Sequence, residues 1–207
     1  AHDCRIQITW NRQNEELVAS LNEGPAPCSG AFLGRPGAND SCLPHRLESQ
    51  VAAVREDAEL VLSATACALL VPSAVVVRAG PVQKHAALTV GMLTSIRLRH
   101  STAMLRREAA LKVGGSDPGS FPTEGDGMRP RVLELGRCGG LPTVTVRCLG
   151  NPLGISSIRV DEQAAAATSR AELYLRRWLG GEADDGAPAV HHRFVQIGGR
   201  IWRRCRR

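Results

Sequence analysis

Arginine is the residue type whose numbers and spacing in this sequence could do chemistry. The chain has 26 Lys and Arg residues; Lys84 and Lys112 are the only lysines, so 24 are arginines. A guanidinium is planar and donates two parallel hydrogen bonds to a phosphate, whereas the ammonium group of lysine acts as a point charge. One interpretation of the bias is therefore selection for phosphate contacts. The other is a GC-rich coding sequence, which also favours Ala, Gly, Val and Pro.

Three groups of arginines are candidates for binding nucleic acid. Arg170, Tyr174 and Arg177 follow one another at steps of four and three, so on a helix they share one face, where guanidinium and ring would meet an RNA backbone. The last eight residues hold five arginines and Trp202, which would neutralise several phosphates and make binding sensitive to salt. The alternatives are a solvated helix face and a tail that keeps the chain soluble or touches a membrane. The candidates in these two groups and in a third, basic segment are Arg97, Arg99, Arg106, Arg107, Arg170, Tyr174, Arg177, Arg200, Trp202, Arg203, Arg204, Arg206 and Arg207.

Residues that could perform catalysis or bind a metal form no recognisable site. His191 and His192 are adjacent, so on a strand they point to opposite faces and cannot bind one metal together. The sequence has no phosphate-binding loop, dinucleotide fingerprint, zinc-protease motif or nucleophile elbow. We therefore predict no catalytic residue, no metal and no cofactor. A small enzyme with scattered catalytic groups stays an alternative.

The overall charge and the cysteines bound the class of protein. The net charge of +6 favours an acidic partner, such as RNA or another polyanion. The seven cysteines are an odd number without a C-x-x-C pair, which argues against a structural zinc site and favours reduced intracellular thiols. A secreted protein with disulfide bonds is the alternative, and Cys138 and Cys148 would then be one candidate pair. A count of free thiols distinguishes the two.

The apolar residues predict the elements that position these side chains in the first half of the chain. Residues 5–10 alternate polar and apolar types, which predicts a half-buried strand. Residues 11–21 indicate a short helix and residues 22–44 a long loop. Apolar residues at steps of three and four predict an amphipathic helix over residues 46–70, followed by a strand at residues 75–77 and a basic helix over residues 82–112. The uncharged stretch 60–77 is interrupted by Pro72 and polar residues, so we predict no transmembrane segment.

A Gly- and Pro-rich segment over residues 114–129 predicts a domain boundary. We expect an N-terminal α+β domain over residues 1–113 and a C-terminal β-β-β-α domain with a basic tail over residues 130–207. The strands of the second domain are predicted at residues 131–135, 143–149 and 155–160. A helix follows at residues 161–179, and a last strand is predicted at residues 190–204.

The segment 130–179 resembles a double-stranded-RNA-binding domain of the ribonuclease III type. Pro130 precedes the first strand, glycines follow the strand Thr143 to Arg147, and an Ala-rich run opens the last helix. The resemblance implies a helix, three antiparallel strands and a second helix that grips phosphates with a basic pair. By position that pair would be Ile158 and Arg159, so Arg159 joins the candidate residues and half of the pair is missing.

The sequence therefore predicts an α+β protein with helices packed on small, mainly antiparallel sheets in two subdomains. The predicted function is RNA binding as a structural or accessory component of a ribonucleoprotein assembly, an organellar ribosome being one candidate. We expect an intracellular location, which includes mitochondria and other organelles, and RNA or other subunits as partners. The alternatives are a secreted, disulfide-bonded interaction protein of a virus or pathogen, and a small enzyme.

Overall fold

The computed structural model describes residues 3–71, 74–78, 85, 99–116, 128 and 131–178, without the side chains of residues 77–78, 155–156 and 170–178. These residues form an α+β fold. Its helices are α1 (Glu16–Glu23), α2 (Arg46–Glu56), α3 (Arg107–Lys112), α4 (Ile155–Ile158) and α5 (Val160–Trp178), with a 3-10 turn at His100–Thr102. Its strands are β1 (Phe32–Gly34), β2 (Ser41–Cys42), β3 (Leu60–Val71), β4 (Ala74–Arg78), β5 (Met104–Arg106) and β6 (Arg137–Leu149).

One mixed sheet organises the described residues. Its strand order is β1-β5-β3-β6-β2, and β4 pairs with β3 beside this path. The central strand β3 runs parallel to β6 and antiparallel to β4 and β5. The predicted α+β class with mainly antiparallel pairing is confirmed, since four of the five strand pairs are antiparallel. The described strands lie in one sheet and not in two, because β3 and β6 come from opposite sides of residues 114–129 and pair in parallel. Residues 117–127 lie outside the described residues, so the domain boundary predicted there stays a prediction.

The central strand occupies residues that the apolar spacing assigns to a helix. Helix α2 ends when Asp57 takes an extended conformation, and the Asp57 carboxylate then accepts a hydrogen bond from the backbone N–H of Glu59. The chain continues as β3, which is buried almost throughout because it has neighbours on both sides and cover on both faces. The predicted helix over residues 46–70 is therefore confirmed only for α2. A continuous apolar run satisfies helical and strand spacing alike.

Strand β6 confirms the strand predicted at residues 143–149 and extends it back to Arg137, but the strand predicted before it is not formed. Residues 131–133 are helical, so the strand predicted at 131–135 is wrong. The strand then runs unbroken from Arg137 to Leu149, and its register against β3 shifts between Leu141 and Val144. Pro142 lies within this irregularity, where its missing N–H removes no ladder hydrogen bond.

The strand predicted at residues 155–160 is also wrong, because Asn151 starts a helix there. The Asn151 side chain accepts a hydrogen bond from the N–H of Leu153, and its carbonyl accepts bonds from Gly154 and Ser157. These contacts turn the chain directly into α4. The helix predicted at residues 161–179 is confirmed by α5. Within residues 131–178, the β-β-β-α order that the resemblance implies is not formed.

Three further predictions differ from the structure. Residues 5–10 form no strand: Arg5 lies in a turn, residues 6–10 have no regular secondary structure, and Ile6 and Trp10 are 68% and 85% exposed. Residues 22–44, predicted as a loop, contain β1 and β2. Of the helix predicted over residues 82–112, His85 and α3 are helical as predicted, whereas His100–Thr102 form the 3-10 turn and Met104–Arg106 form β5. Residues 82–84 and 86–98 lie outside the described residues, as does the last strand predicted at 190–204. Helix α1 and strand β4 confirm the predictions at 11–21 and 75–77 in part.

The core is built from small and medium side chains around the centre of the sheet. Leu62 and Ala64 of β3 cluster with Ala109 of α3 and with Val132 and Cys138. A second cluster joins Val54 of α2 to Leu60 and Met104. The first cluster spans both sides of the predicted linker, because β6 brings Cys138 against β3.

Candidate nucleic-acid interface

The carboxylate of Asp40 joins three parts of the chain at one end of the sheet. Its Oδ1 accepts a hydrogen bond of 3.3 Å from the backbone N–H of Leu149, the last residue of β6. Its Oδ2 accepts a hydrogen bond from the hydroxyl of Ser101 in the 3-10 turn. A Cβ atom at Gly37 would lie 2.7 Å from Asp40 Oδ2, so glycine is required there for this approach. We call this arrangement the Asp40 junction.

Two exposed arginines flank the Asp40 junction along the chain. Arg99 lies two residues before Ser101, and Arg147 lies two residues before Leu149. Both side chains are exposed and make no hydrogen bond or ion pair among the described residues. Two residues span at most about 7 Å of chain. The backbone of Arg99 therefore lies within about that distance of Ser101, and the backbone of Arg147 within about that distance of Leu149. Ser101 and Leu149 are the two residues that bind Asp40.

A third arginine belongs to the same end of the sheet. Arg35 is half-buried, and its Nη1 lies 3.2 Å from Nδ1 of His100, the residue after Arg99. The backbone N–H of Arg35 donates to the carbonyl of Ala103 at the end of the 3-10 turn. The exposed Arg99 and Arg147 thus lie within two residues of the groups that bind the Asp40 carboxylate, and Arg35 lies beside His100.

Two other predicted arginines have acceptors inside the fold. Arg106 donates from Nε to the carbonyl of Leu60 and from Nη2 to the carbonyl of Val54, at 3.1 and 3.0 Å, and its guanidinium lies 5.8 Å from the ring centroid of Phe32. These bonds connect β5 to the turn between α2 and β3. Arg107 is half-buried and donates to the carbonyl of Ala26 at 3.5 Å. Both side chains hold the fold together in this structure.

The remaining predicted residues fall into three groups. Arg159 is exposed and forms an ion pair of 3.2 Å with Glu162, one turn along the chain. Arg170, Tyr174 and Arg177 lie on α5, but their side chains are outside the described residues. The predicted residues that lie wholly outside the described part of the chain are Arg97, Arg200, Trp202, Arg203, Arg204, Arg206 and Arg207.

A buried arginine that the sequence did not single out lies beneath this end of the sheet. Arg46, the first residue of α2, is 2% exposed. Its Nε donates to the side-chain oxygen of Gln50 at 3.1 Å, and its Nη1 donates to Sγ of Cys42 at 2.9 Å. Its Nη2 donates to the carbonyls of Arg35 and Ala103, at 3.3 and 3.2 Å. The guanidinium therefore fixes β2, the residue after β1 (Arg35) and the residue after the 3-10 turn (Ala103) to α2.

Gln50 continues this network into the centre of the sheet. It is fully buried, and its amide nitrogen lies 2.9 Å from the carbonyl of Thr102 and 3.2 and 3.3 Å from the hydroxyl and the carbonyl of Ser63. The side-chain oxygen is occupied by Arg46. Every polar atom of the amide thus has a partner, as a buried polar group requires.

None of the six described cysteines forms a disulfide bond with another described residue. Cys138 and Cys148, the candidate disulfide pair, both lie on β6, ten residues and roughly 33 Å apart. Cys148 instead contacts Cys67 of β3 in a small buried cluster with Val146. The hydrogen bond with the Cys67 thiol, and then burial, raise the pKa of Cys148 well above its usual range. This thiol stays protonated and inert near neutral pH.

Among the described residues, no group of three or more His, Cys, Asp or Glu side chains could hold a metal ion. No helix in that part of the chain has the length and apolar character to cross a membrane. No protein-family model matches this sequence, and no curated protein matches it either. The function is therefore argued from the geometry and charge of the chain itself.

Proposed function

We propose that this protein binds RNA as a structural or accessory component of a ribonucleoprotein assembly, through contacts between arginines and phosphates. The observation that carries the proposal is the pair of exposed guanidiniums, Arg99 and Arg147, at the Asp40 junction. Neither has an acceptor among the described residues, so each can donate two hydrogen bonds to a phosphate without breaking a bond of the fold.

The charge at the junction supports an anionic ligand. Asp40 is the carboxylate there, and its two oxygens are occupied by Leu149 and Ser101. Arg99 and Arg147 together exceed it in charge by one. The whole chain adds a net charge of +6, which favours approach of a polyanion at low ionic strength.

Further contacts come from candidates that lie outside the described side chains. Arg170 and Arg177 would donate to phosphates along α5, and Tyr174 or Trp202 would stack on a base or pack against a sugar. The terminal arginines would add charge neutralisation. The preference for duplex RNA rests on the resemblance of residues 130–179. These additional contacts and the duplex preference stay predictions.

Filter binding of matched variants tests whether the Asp40 junction is the interface. We compare wild type with Arg99→Ala, Arg147→Ala and the double variant, on duplex and single-stranded RNA over a series of salt concentrations. Arg55→Ala is the control, because Arg55 is also exposed and also lacks an ion pair in the described residues, but lies near the end of α2.

We expect each junction variant to bind more weakly at low salt, and to reduce the slope of log K against log salt by about 0.7 to 0.9. The double variant loses about twice as much slope, while Arg55→Ala keeps the slope of wild type. Equal losses in all three single variants would mean that net charge alone drives binding and would remove the junction from the proposal. Absence of binding by wild type at low salt would refute the RNA-binding function.

A further inference from the structure

Residues 6–10 have the side-chain pattern of a strand but belong to none of the described strands. Ile6, Ile8 and Trp10 are two residues apart, so in an extended chain they share one face. They are 68%, 70% and 85% exposed. Within the described part of the chain, the backbone N–H and C=O groups of residues 7–10 make no hydrogen bond. This 6–10 segment therefore has an apolar face and a free backbone with which to join a sheet.

Strand β4 offers a free sheet edge in the same molecule. It pairs with β3 through one edge in a continuous register, and no described strand pairs with its other edge. Four of its five residues are Ala74 and three valines, and Val75 is 65% exposed. An apolar edge strand without a proline or a bulge is a template for pairing with a further strand.

An apolar band continues from Val75 across the sheet. Val75 pairs with Leu70 of β3, and Leu70 pairs with Leu149 of β6, so the three side chains share one face. Leu70 is half-buried, and Leu149 is 53% exposed. A strand added to the free edge of β4 with an apolar face beside Val75 would extend this band and cover its exposed end.

The fit between these two features identifies the partner as a second copy of this chain. The 6–10 segment and β4 are both five residues long. The exposed parts of Ile6, Ile8 and Trp10 provide about 300 Å² of apolar surface. Covering this surface in both copies, together with a similar area around β4, removes about 1,200 Å² from water, which is the lower end of the range for stable interfaces. Addition in one direction alone provides only half of that area.

We propose that the chain forms a reciprocal dimer in which the 6–10 segment of each copy adds as a strand to the free edge of β4 in the other copy. The backbone of the segment bonds to β4, while Ile6, Ile8 and Trp10 lie beside Val75 and continue the apolar band. This is strand addition to a sheet edge, and the two-fold exchange closes the assembly at two copies. The dimer does not depend on RNA binding.

Sedimentation equilibrium of the full wild-type chain, without RNA and with a reducing agent, measures the association. We expect a reversible equilibrium between monomer and dimer. Hydrogen exchange followed by mass spectrometry locates the contact: backbone amides of residues 7–10 should be protected at concentrations where the dimer forms and should lose this protection on dilution. A monomer at every concentration, or a dimer in which residues 7–10 stay unprotected, would overturn the proposal.

Matched variants then test each side of the contact. Ile8→Asp places a charge on the apolar face of the segment, and Val75→Asp places one beside the free edge of β4. Each change removes two buried apolar side chains per dimer, each worth roughly tenfold to hundredfold in affinity, so we expect the dissociation constant to rise at least about 100-fold. Leu47→Asp is the control, because Leu47 is 61% exposed on α2 and should leave the dimer unchanged.

Circular dichroism first establishes that each variant is folded, which we expect because the substituted side chains are exposed in the monomer. An unchanged dissociation constant in Ile8→Asp or Val75→Asp, or an equal rise in Leu47→Asp, would contradict the proposal. If a variant does not fold, the hydrogen exchange of residues 7–10 in the wild-type chain decides.

Discussion

Replacing Gln50 by alanine is the most informative perturbation of the fold, because its side chain connects α2, β3 and the 3-10 turn. The amide is fully buried and bonds to Arg46, Ser63 and Thr102. Gln50→Ala removes all of these bonds at once. It leaves one charged donor, Nε of Arg46, and the carbonyl of Thr102 buried without their partner.

The cost follows from the groups left unpaired. A buried polar group that loses its partner costs about 1 to 3 kcal/mol, and a charged group lies at the upper end of that range. The two orphaned groups and the lost packing together predict a decrease of about 3 to 5 kcal/mol in the free energy of unfolding. Gln50→Met keeps most of the volume, so we expect it to recover the packing part of the loss but not the hydrogen-bonded part.

Urea denaturation followed by circular dichroism measures these changes. Gln13→Ala is the matched control, because Gln13 is exposed, and it should stay within about 0.5 kcal/mol of wild type. With a urea m-value of about 1 to 3 kcal/mol per molar, the midpoint of Gln50→Ala should fall by at least about 1 M. A midpoint equal to that of Gln13→Ala would refute the buried network.

Two further predictions concern the centre of the sheet. The hydroxyls of Thr65 and Thr145 lie 2.5 Å apart and are buried. Thr145→Val should therefore lower the free energy of unfolding by about 1 to 3 kcal/mol. A second change, Thr65→Val, should recover part of that loss in a double-mutant cycle. Purely additive losses would contradict the pairing. Folding raises the pKa of Cys148 above the ordinary thiol value of 9.0. The stability that the protonated, buried thiol contributes is therefore complete below pH 9.0, and it is lost as the pH rises above 9.0 and the unfolded chain ionises. The free energy of unfolding should therefore fall between about pH 8 and pH 10 in wild type and fall less in Cys148→Ala; parallel pH profiles would contradict this.

The elements that the sequence predicts correctly are those whose signal is local. Helix α5 has polar and apolar residues at helical spacing with acidic residues in its first turn, and β4 is a short run of valines. Strand β3 is different, because apolar or small residues fill every position over twelve residues and any period fits them. Its conformation is decided by pairing with β6, whose partner residues lie almost eighty positions further along the chain, and no local pattern contains that pairing.

The arginines also show that local spacing does not by itself decide where a side chain lies. Arg46, Gln50 and Val54 lie at steps of four and are all buried, whereas Leu47, an apolar residue of the same helix, is 61% exposed. The spacing to Val54 was a usable signal for this buried face, but charged residues are ordinarily placed in solvent. Arg147 carried a similar signal, since it lies between the buried Val146 and Cys148 on β6. Its connection to Arg99 runs through Asp40 and could not be derived from spacing.

The most direct test of the central claim is a titration of the wild-type chain with duplex and single-stranded RNA at low salt, repeated as the salt is raised. The account predicts binding whose logarithmic affinity falls linearly with the logarithm of the salt concentration, with a slope that reports several phosphate contacts. Absence of binding at the lowest salt, or an affinity that does not change with salt, would contradict it.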